Sequence, residues 1–170
     1  LEIAATDKPE VEPENVVLIV TSHGGLIIVI STPRYVYANM SFAASTFVFE
    51  GDPIPVPNYQ LDIWYSKLLY DRKALVTWVY LGRYVTDEGG VVTLNIPREA
   101  TRLDPNQTVG WLYVLALPAN TGADPNEQFK VQGAVENAVS ASKVYVVLSE
   151  EYLRELEMLL RAEEYGGKVL

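Results

Sequence analysis

Oxygen-rich turns are the part of this sequence that most resembles a chemical site. The segments 104–106 and 124–126 both read Asp-Pro-Asn, and residues 86–89 form a further acidic turn, Thr-Asp-Glu-Gly. Carboxylate, amide and backbone carbonyl oxygens on loops are the ligands that calcium prefers. The candidate calcium ligands are Asp87, Glu88, Asp124, Asn126 and Glu127. The same residue types also form turns without an ion, and none has the EF-hand spacing, so both interpretations stay open.

The residues that commonly carry catalysis are scarce. His23 is the only histidine and follows Ser22 in a predicted turn, without the orienting acid and oxyanion site that a Ser/His hydrolase needs. One histidine and no cysteine cannot supply the usual zinc or iron ligands. The carboxylate pair of a glycosidase must face a cleft, and no acid lies in a segment that the sequence places there. We therefore expect no enzyme and no required cofactor.

Composition limits the class of protein and its partners. The chain of 170 residues suits one domain, and 49% hydrophobic residues exclude global disorder. A net charge of −9 without a basic patch argues against nucleic-acid binding. The longest apolar stretch, residues 16–30, is interrupted by Thr-Ser-His-Gly-Gly, so we expect no membrane span.

The chain ends and two short motifs bear on location. The sequence begins at Leu1 without an initiator methionine, which we interpret as removal of a secretion signal. Asn39-Met40-Ser41 and Asn106-Gln107-Thr108 are N-glycosylation sequons, which weakly support secretion. We expect an extracellular or cell-surface protein.

Short aromatic and valine-rich segments, separated by Gly, Pro, Asn and Asp, predict an all-β domain. We expect a β-sandwich, in one version jelly-roll-like, over residues 16–148. Residues 51–58, with three prolines, should form an extended crossover. Predicted strands cover residues 35–37, 42–49, 59–66, 74–85, 91–96, 110–117, 129–135 and 142–148.

Two hairpins are predicted within this domain. Residues 16–21 and 26–31 flank Ser-His-Gly-Gly, and their successive apolar residues require cover on both faces. We expect the C-terminal helix or another chain to cover at least one of these faces. Residues 74–85 and 91–96 flank Thr-Asp-Glu-Gly-Gly and predict the second hairpin.

The two ends of the chain differ from the domain between them. Residues 1–15 combine an alternating Leu-Glu-Ile-Ala-Ala start with a Pro- and Glu-rich linker, which fits either a loose tail or an arm that adds a strand to a neighbour. Residues 149–167 predict an amphipathic helix, with Ser149 as N-cap and Gly166-Gly167 as its end. This helix would cap an open end of the sandwich or pack against another subunit.

The sequence of residues 74–97, with its Thr-Asp-x-Gly turn followed by an alternating strand, resembles a hairpin of immunoglobulin-like and transthyretin-like extracellular β-sandwiches. The wider architecture resembles subunits of archaeal or bacterial extracellular fibres, including biofilm-fibre proteins, and the cannula subunits of hyperthermophiles. That resemblance implies completion of the sandwich by a neighbour's strand, and calcium at subunit contacts.

These features favour a secreted or surface structural subunit that self-assembles into a fibre, tube or layer, as a homo-oligomer or polymer joined through the N-terminal arm. A virion coat protein is a close variant. The alternative from another class is a carbohydrate- or receptor-binding module, since the aromatic residues could form a binding platform, although packing explains most of them.

Overall fold

Two β-sheets form the framework of the domain. The computed structural model describes residues 25–169, with side chains described to residue 164. The first sheet contains β1 (Leu26–Ser31), β3 (Phe42–Glu50), β4 (Ile54–Pro55) and β7 (Val91–Ile96), with β3 between β1 and the other two. The second sheet has the order β2 (Tyr35–Tyr37), β9 (Ala141–Val147), β8 (Val109–Pro118), β5 (Gln60–Ser66) and β6 (Trp78–Val85). The predicted all-β sandwich is confirmed.

The main core lies between the two sheets. Alternate residues of each strand point inward, and the interior is aliphatic, including Ile28, Leu61, Leu94, Leu112 and Val144. Such period-two alternation is what a half-buried strand requires. Strand β8 differs, because all ten of its residues are buried, which means that both faces of this strand are covered.

Strand β1 is also covered on both faces, as predicted from its unbroken apolar run. Ile28 and Ile30 join the core between the sheets, while Ile27 and Val29 point the other way and are no more than 4% exposed. The first strand of the predicted hairpin, residues 16–21, lies outside the described residues.

A third layer covers the outer face of the second sheet. It consists of the connection 67–77, the short helices α1 (Pro125–Gln128) and α2 (Gln132–Glu136), and the C-terminal helix α3 (Leu153–Val169). Leu156 of α3 is buried there beside Trp111 and Tyr145. The helix therefore covers a sheet face, and neither caps an open end nor covers β1 as expected. It also continues through Gly166-Gly167 to Val169, where we expected these glycines to end it.

The predicted second hairpin is wrong. Strand β6 pairs with β5 in the second sheet, whereas β7 pairs with β3 in the first, so the turn between them crosses from sheet to sheet. Thr86 explains the crossing: its N–H bonds to the Tyr59 carbonyl and its hydroxyl donates to the Val56 carbonyl at 2.7 Å. The chain is thus held to the segment 56–59 and cannot fold back beside β6. The strand is also shorter than predicted, since it begins at Trp78 and not at residue 74.

The predicted strand 129–135 is also wrong. Helix α1 begins at Pro125. The preceding residue, Asp124, is its N-cap, and the Asp124 side chain accepts a hydrogen bond from the Asn126 N–H at 3.0 Å. Gln132 and Val135 are buried on one side of α2, so the relevant spacing is helical. Val131 forms only an isolated bridge to Leu75. The apparent alternation arose because Phe129, before the helix, and Val135, on the helix, pack into the same layer.

Thr46 supplies a test of the core. Its side chain is fully buried on the inner face of β3, and its hydroxyl has no hydrogen-bond partner among residues 25–169. A buried hydroxyl without a partner costs about 1–3 kcal/mol. We expect Thr46→Val to raise the free energy of unfolding by about 1 kcal/mol, measured by urea denaturation.

Thr101 is the matched control, because it is equally buried but its hydroxyl donates to the Met40 and Arg98 carbonyls and accepts from the Met40 N–H. Thr101→Val should lower the free energy of unfolding by about 1–3 kcal/mol. Loss of stability in the Thr46 variant of the same size as in the Thr101 variant would contradict the assignment of an unpaired hydroxyl.

Candidate functional site

An open groove of about 1190 Å³ lies between the second sheet and its outer layer, and we call it the polar groove. Strands β8 and β9 form its floor, the connection at residues 70–72 and helix α2 form one side, and α3 forms the other. The side chains used below are Arg72, Gln107, Trp111, Tyr113, Glu136, Lys143, Tyr145 and Glu163. The lining of the groove as a whole contains six charged residues, which include Asp71 and Glu155, and four aromatic rings, which include Tyr70.

Strand periodicity places the floor residues. Trp111 and Tyr113 occupy alternate positions of β8, and Lys143 and Tyr145 do so on the neighbouring strand β9, so all four point outward. The Lys143 Nζ lies 5.1 Å from the ring centroid of Trp111 and 5.0 Å from that of Tyr145. At this distance a cation is attracted to both rings. The ammonium also occupies the space that a stacking ligand would need.

A glycine allows the wall of the groove to approach its floor. A Cβ on Gly110 would lie 2.8 Å from a ring carbon of Tyr70 and 3.1 Å from the Leu69 carbonyl oxygen. No other residue type would fit without displacing the connection, which is fixed to β8 by paired hydrogen bonds between Leu69 and Trp111.

Gln132 ties the floor to this wall. Its Oε1 accepts from Trp111 Nε1 at 3.1 Å and is the more distant acceptor, at 3.3 Å, of the Tyr113 hydroxyl, whose single proton is shared with Glu136. Its Nε2 donates to the carbonyls of Asp71 at 2.7 Å and Ala74 at 3.0 Å. The side chain is 3% exposed with four hydrogen bonds, so its burial is compensated and it holds the groove open in one geometry.

Two carboxylates and two cations form an ion-pair cluster in the groove. Lys143 Nζ lies 2.6 Å from Glu163 Oε2 and 3.4 Å from Glu136 Oε2. Arg72 approaches the same pair, at 2.9 Å from Glu163 and 3.6 Å from Glu136. Each carboxylate also accepts a tyrosine hydroxyl, from Tyr113 at 2.7 Å for Glu136 and from Tyr145 for Glu163. The cluster therefore joins the sheet, the connection, α2 and α3.

The surroundings shift the pKa values of the tyrosines and of Glu163 in this cluster. Burial and the hydrogen bond to Glu136 raise the pKa of Tyr113, and burial and Glu163 do the same for Tyr145, so both phenols stay protonated donors. Burial alone would raise the pKa of Glu163, but hydrogen bonds from Lys143 and Tyr145 outweigh it and hold that pKa below its usual range. A general acid needs a raised pKa, so Glu163 is an acceptor and not a proton donor at neutral pH.

The outer edge of β6 is the second candidate surface. Strand β6 is the last strand of the second sheet, and within the described chain its outer edge makes hydrogen bonds only at Trp78. There the Asn126 side chain accepts from the Trp78 N–H at 2.9 Å and its amide lies 3.4 Å from the Trp78 carbonyl. Tyr80 and Val85 are about half exposed, at 48% and 50%. Within the described chain, the remaining edge is therefore a largely apolar strand whose outward backbone groups have no partner.

Arg83, the charged residue of β6, does not protect this edge from pairing with another strand. Arg83 forms a two-pronged ion pair with Asp62 of β5, at 3.0 and 3.1 Å, and this hydrogen bonding lowers the pKa of Asp62. Asp62 also accepts the Tyr80 hydroxyl at 2.7 Å, and the Tyr80 ring packs 4.9 Å from that of Trp64. The guanidinium is thus held over the sheet face.

Three of the five predicted calcium ligands, Asp87, Asp124 and Asn126, make turn, cap or edge hydrogen bonds. Asp87 Oδ1 accepts from the N–H groups of Gly89 and Val91, Asp124 caps α1, and Asn126 bonds to Trp78. Asp87 and Glu88 lie in the β6–β7 turn, and the other candidates lie at α1. Over residues 25–169, no three or more His, Asp or Glu side chains gather to form a metal-binding group. Calcium at these turns stays a prediction.

The remaining sequence candidates are less informative. Ser22 and His23 lie outside the described residues. Asn39 and Asn106 are exposed turn residues with positive φ, so both sequons are accessible.

Sequence reasoning missed the polar groove altogether. Glu136 directly followed the predicted strand 129–135, and Glu163 was placed on a helix whose packing partner was unknown. The alternation of Trp111 with Tyr113 and of Lys143 with Tyr145 was visible, but it could not show which helix would cover these side chains. The burial of Gln132 is seen only in the structure.

No protein-family model matches this chain, and no curated protein matches it in sequence. In the described part of the chain, no helix has both the length and the hydrophobicity needed to cross a membrane.

Glu163 gives a prediction for the pH dependence of stability. A carboxylate whose folded-state pKa is depressed contributes stability above its unfolded pKa, near 4.3, and loses it as the pH falls through the folded value. We expect Glu163→Gln to lower the melting temperature at pH 7, with the difference from wild type closing below about pH 4. Thermal melts from pH 7 to pH 2.5 test this, with Glu157→Gln on the exposed side of α3 as control. A difference that is independent of pH would contradict the role of the carboxylate charge.

Proposed function

We propose that this protein is a structural subunit, secreted or at the cell surface, that assembles with copies of itself by adding a strand to the outer edge of β6. The observation that carries the proposal is that edge: eight residues, Trp-Val-Tyr-Leu-Gly-Arg-Tyr-Val, of which only Trp78 has an edge partner in the described chain. An exposed apolar edge strand is a template for pairing with another chain.

The other sheet edges fit this role less well. Strand β2 has three residues and β4 has two, and short edge strands offer few hydrogen bonds. Strand β7 has six residues, but its exposed side chains, Thr93 and Asn95, are polar. Strand β6 is longer than these and presents Tyr80 and Val85 to solvent. Strand β1 is also an end strand in the described chain, but its central side chains, residues 27–30, are already buried. Among the described edges, β6 is therefore the strand whose pairing would bury the most further apolar surface.

The direction of the backbone groups supports the same strand. Because Trp78 turns its N–H and carbonyl away from β5 toward Asn126, the alternate residue Tyr80 turns its own backbone groups the same way. Within the described chain, an added strand would meet the unpaired backbone donor and acceptor of Tyr80. Beyond Tyr80 the register of β6 shifts at an irregularity opposite Ile63 and Trp64, so simple alternation from Trp78 ends there. Asn126 would mark one end of the available edge.

The donor strand that we propose is the N-terminal arm, residues 1–15, of a neighbouring copy. Its structure lies outside the described residues, and the proposal rests on its sequence: Leu1, Ile3 and Ala5 alternate, and a Pro-rich linker follows. Alternating side chains on an added strand would contact the face beside Tyr80, while its backbone supplies the hydrogen bonds.

The extracellular setting belongs to the same proposal. Two accessible sequons and the resemblance to fibre and cannula subunits support it, beyond the β-sandwich itself. A virion coat would use the same edge and is a variant of this proposal.

Substitution at Val85 tests the assembly. We expect wild-type protein to form species well above the 18.9 kDa protomer, and Val85→Lys to weaken association about tenfold, because a lysine on the edge disfavours strand pairing (~1.4 kcal/mol). Light scattering after size-exclusion chromatography, over a concentration series, measures this. Ile3→Asp in the donor arm should weaken association similarly.

The matched control is Thr93→Lys, which places the same charge on the β7 edge and should leave association unchanged. Circular dichroism shows that each variant is folded. A monomeric wild-type protein, or equal association of the Val85 and Thr93 variants, would refute assembly through β6.

Calcium at the acidic turns is proposed as an additional stabiliser. Asp87 Oδ2 and the Glu88 carboxylate accept no hydrogen bond in the described structure and could contribute ligands. An ion bound only to the folded state adds about 2.7 kcal/mol at a hundredfold excess over its dissociation constant. We expect a higher melting temperature in calcium than in chelator, with the increase lost in Asp87→Asn/Glu88→Gln. Identical melting in both conditions would remove calcium from the account.

A further inference from the structure

The polar groove retains hydrogen-bonding capacity that the fold does not use. All the hydrogen bonds of Glu163 and of Glu136 fall on Oε2. The Oε1 atom of Glu136 has only the ion-pair contact to Arg72 at 3.6 Å, and Oε1 of Glu163 has none among the described residues. One carboxylate oxygen on each side of the groove is thus available to a donor.

Donors are available beside these acceptors. Arg72 uses one N–H for the hydrogen bond to Glu163, and its side chain is 54% exposed at the mouth of the groove. The Gln107 side-chain amide also lines the groove and makes no hydrogen bond in the described structure. A ligand would therefore meet spare acceptors and spare donors along one open channel.

The charges of the groove weigh against an anionic ligand. Its lining holds four carboxylates and two cations, and both cations, Arg72 and Lys143, are paired with Glu136 and Glu163. An anionic ligand would meet the excess of carboxylates, or would have to displace one of them from its cation and leave it partly buried and unpaired, which is costly. A neutral ligand rich in hydroxyl groups can use the spare atoms without breaking any pair.

The size of the groove and the position of Lys143 limit how a ligand could bind. A volume of about 1190 Å³ exceeds that of a typical single-ligand pocket, roughly 300–1,000 Å³, and suits several linked rings. Because the ammonium lies over the rings of Trp111 and Tyr145, a sugar cannot stack on the faces it covers. Recognition would depend on hydrogen bonds.

We propose that the polar groove binds a neutral oligosaccharide, whose hydroxyl groups donate to Oε1 of Glu136 and Glu163 and accept from Arg72 and the Gln107 amide. The site is separate from the β6 edge, so it does not depend on assembly. A structural subunit with such a groove could attach to a cell-surface or matrix glycan.

Calorimetric titration of the full chain tests this with four hexasaccharides: β-1,4-linked glucose, β-1,4-linked mannose, α-1,4-linked glucose and the acidic α-1,4-linked galacturonate. We expect at least one neutral sugar to bind, and the galacturonate to bind at least tenfold more weakly than that sugar. Gln107→Ala and Glu136→Gln should each weaken binding about tenfold. The Gln107 side chain has no partner within the described fold, so its variant separates binding from folding.

The control is Glu157→Gln, on the exposed side of α3, which should bind the sugar as wild type does. Absence of heat with every neutral sugar would overturn the proposal. So would tighter binding of the galacturonate, or unchanged affinity in both groove variants. Light scattering on the same samples reports assembly separately, so failure of this proposal and failure of assembly through β6 are distinguishable.

Discussion

The two-sided burial of strand β8 is the constraint on which the rest of this structure depends. All ten residues of β8 are buried, with Leu112, Val114 and Ala116 facing the first sheet and Trp111 and Tyr113 facing the outer layer. Fully burying a large apolar side chain stabilises the folded state by about 1.5–3 kcal/mol, so exposing either face of β8 would strongly destabilise the domain. The domain is therefore a sandwich with a third layer, and the third layer makes the groove.

The outer layer covers the second sheet unevenly, and both candidate surfaces follow from this. Over β8 and β9, α2 and α3 are joined to the sheet by apolar contacts such as Leu156 and by the ion-pair cluster, leaving the polar groove between them. Toward β6 the cover ends at Asn126, whose amide occupies the first backbone groups of the edge strand. Beyond it the edge is bare within the described chain. One sheet thus offers a polar channel on its face and an apolar strand at its margin.

Local patterns predicted several strands well. Strands β3 and β5 were placed within one residue at each end because alternation and turn residues agree there, and the continuous apolar run of β8 placed that strand equally closely. The errors arose where tertiary contacts override local signals. Thr86 sends the chain to the other sheet although its turn resembles a hairpin, and Gln132 makes a helix favourable where alternation suggested a strand.

The groove was unpredictable for a related reason: Glu136, Lys143 and Glu163 come from three elements whose contacts no spacing rule fixes. At the acidic turns, hydrogen bonds of a turn and of a helix cap account for the positions of Asp87 and Asp124, and calcium there remains a prediction.

The most direct test of assembly through β6 is residue-resolved hydrogen–deuterium exchange, compared between dilute monomer and assembled protein. In the monomer, the Tyr80 amide at the outer edge should exchange rapidly, while the amides of β8 stay protected because that strand is central and buried on both faces. In the assembled protein, the Tyr80 amide should gain at least a tenfold protection while β8 is unchanged. Equal exchange of the β6 edge in both states, with protection gained elsewhere, would contradict the account.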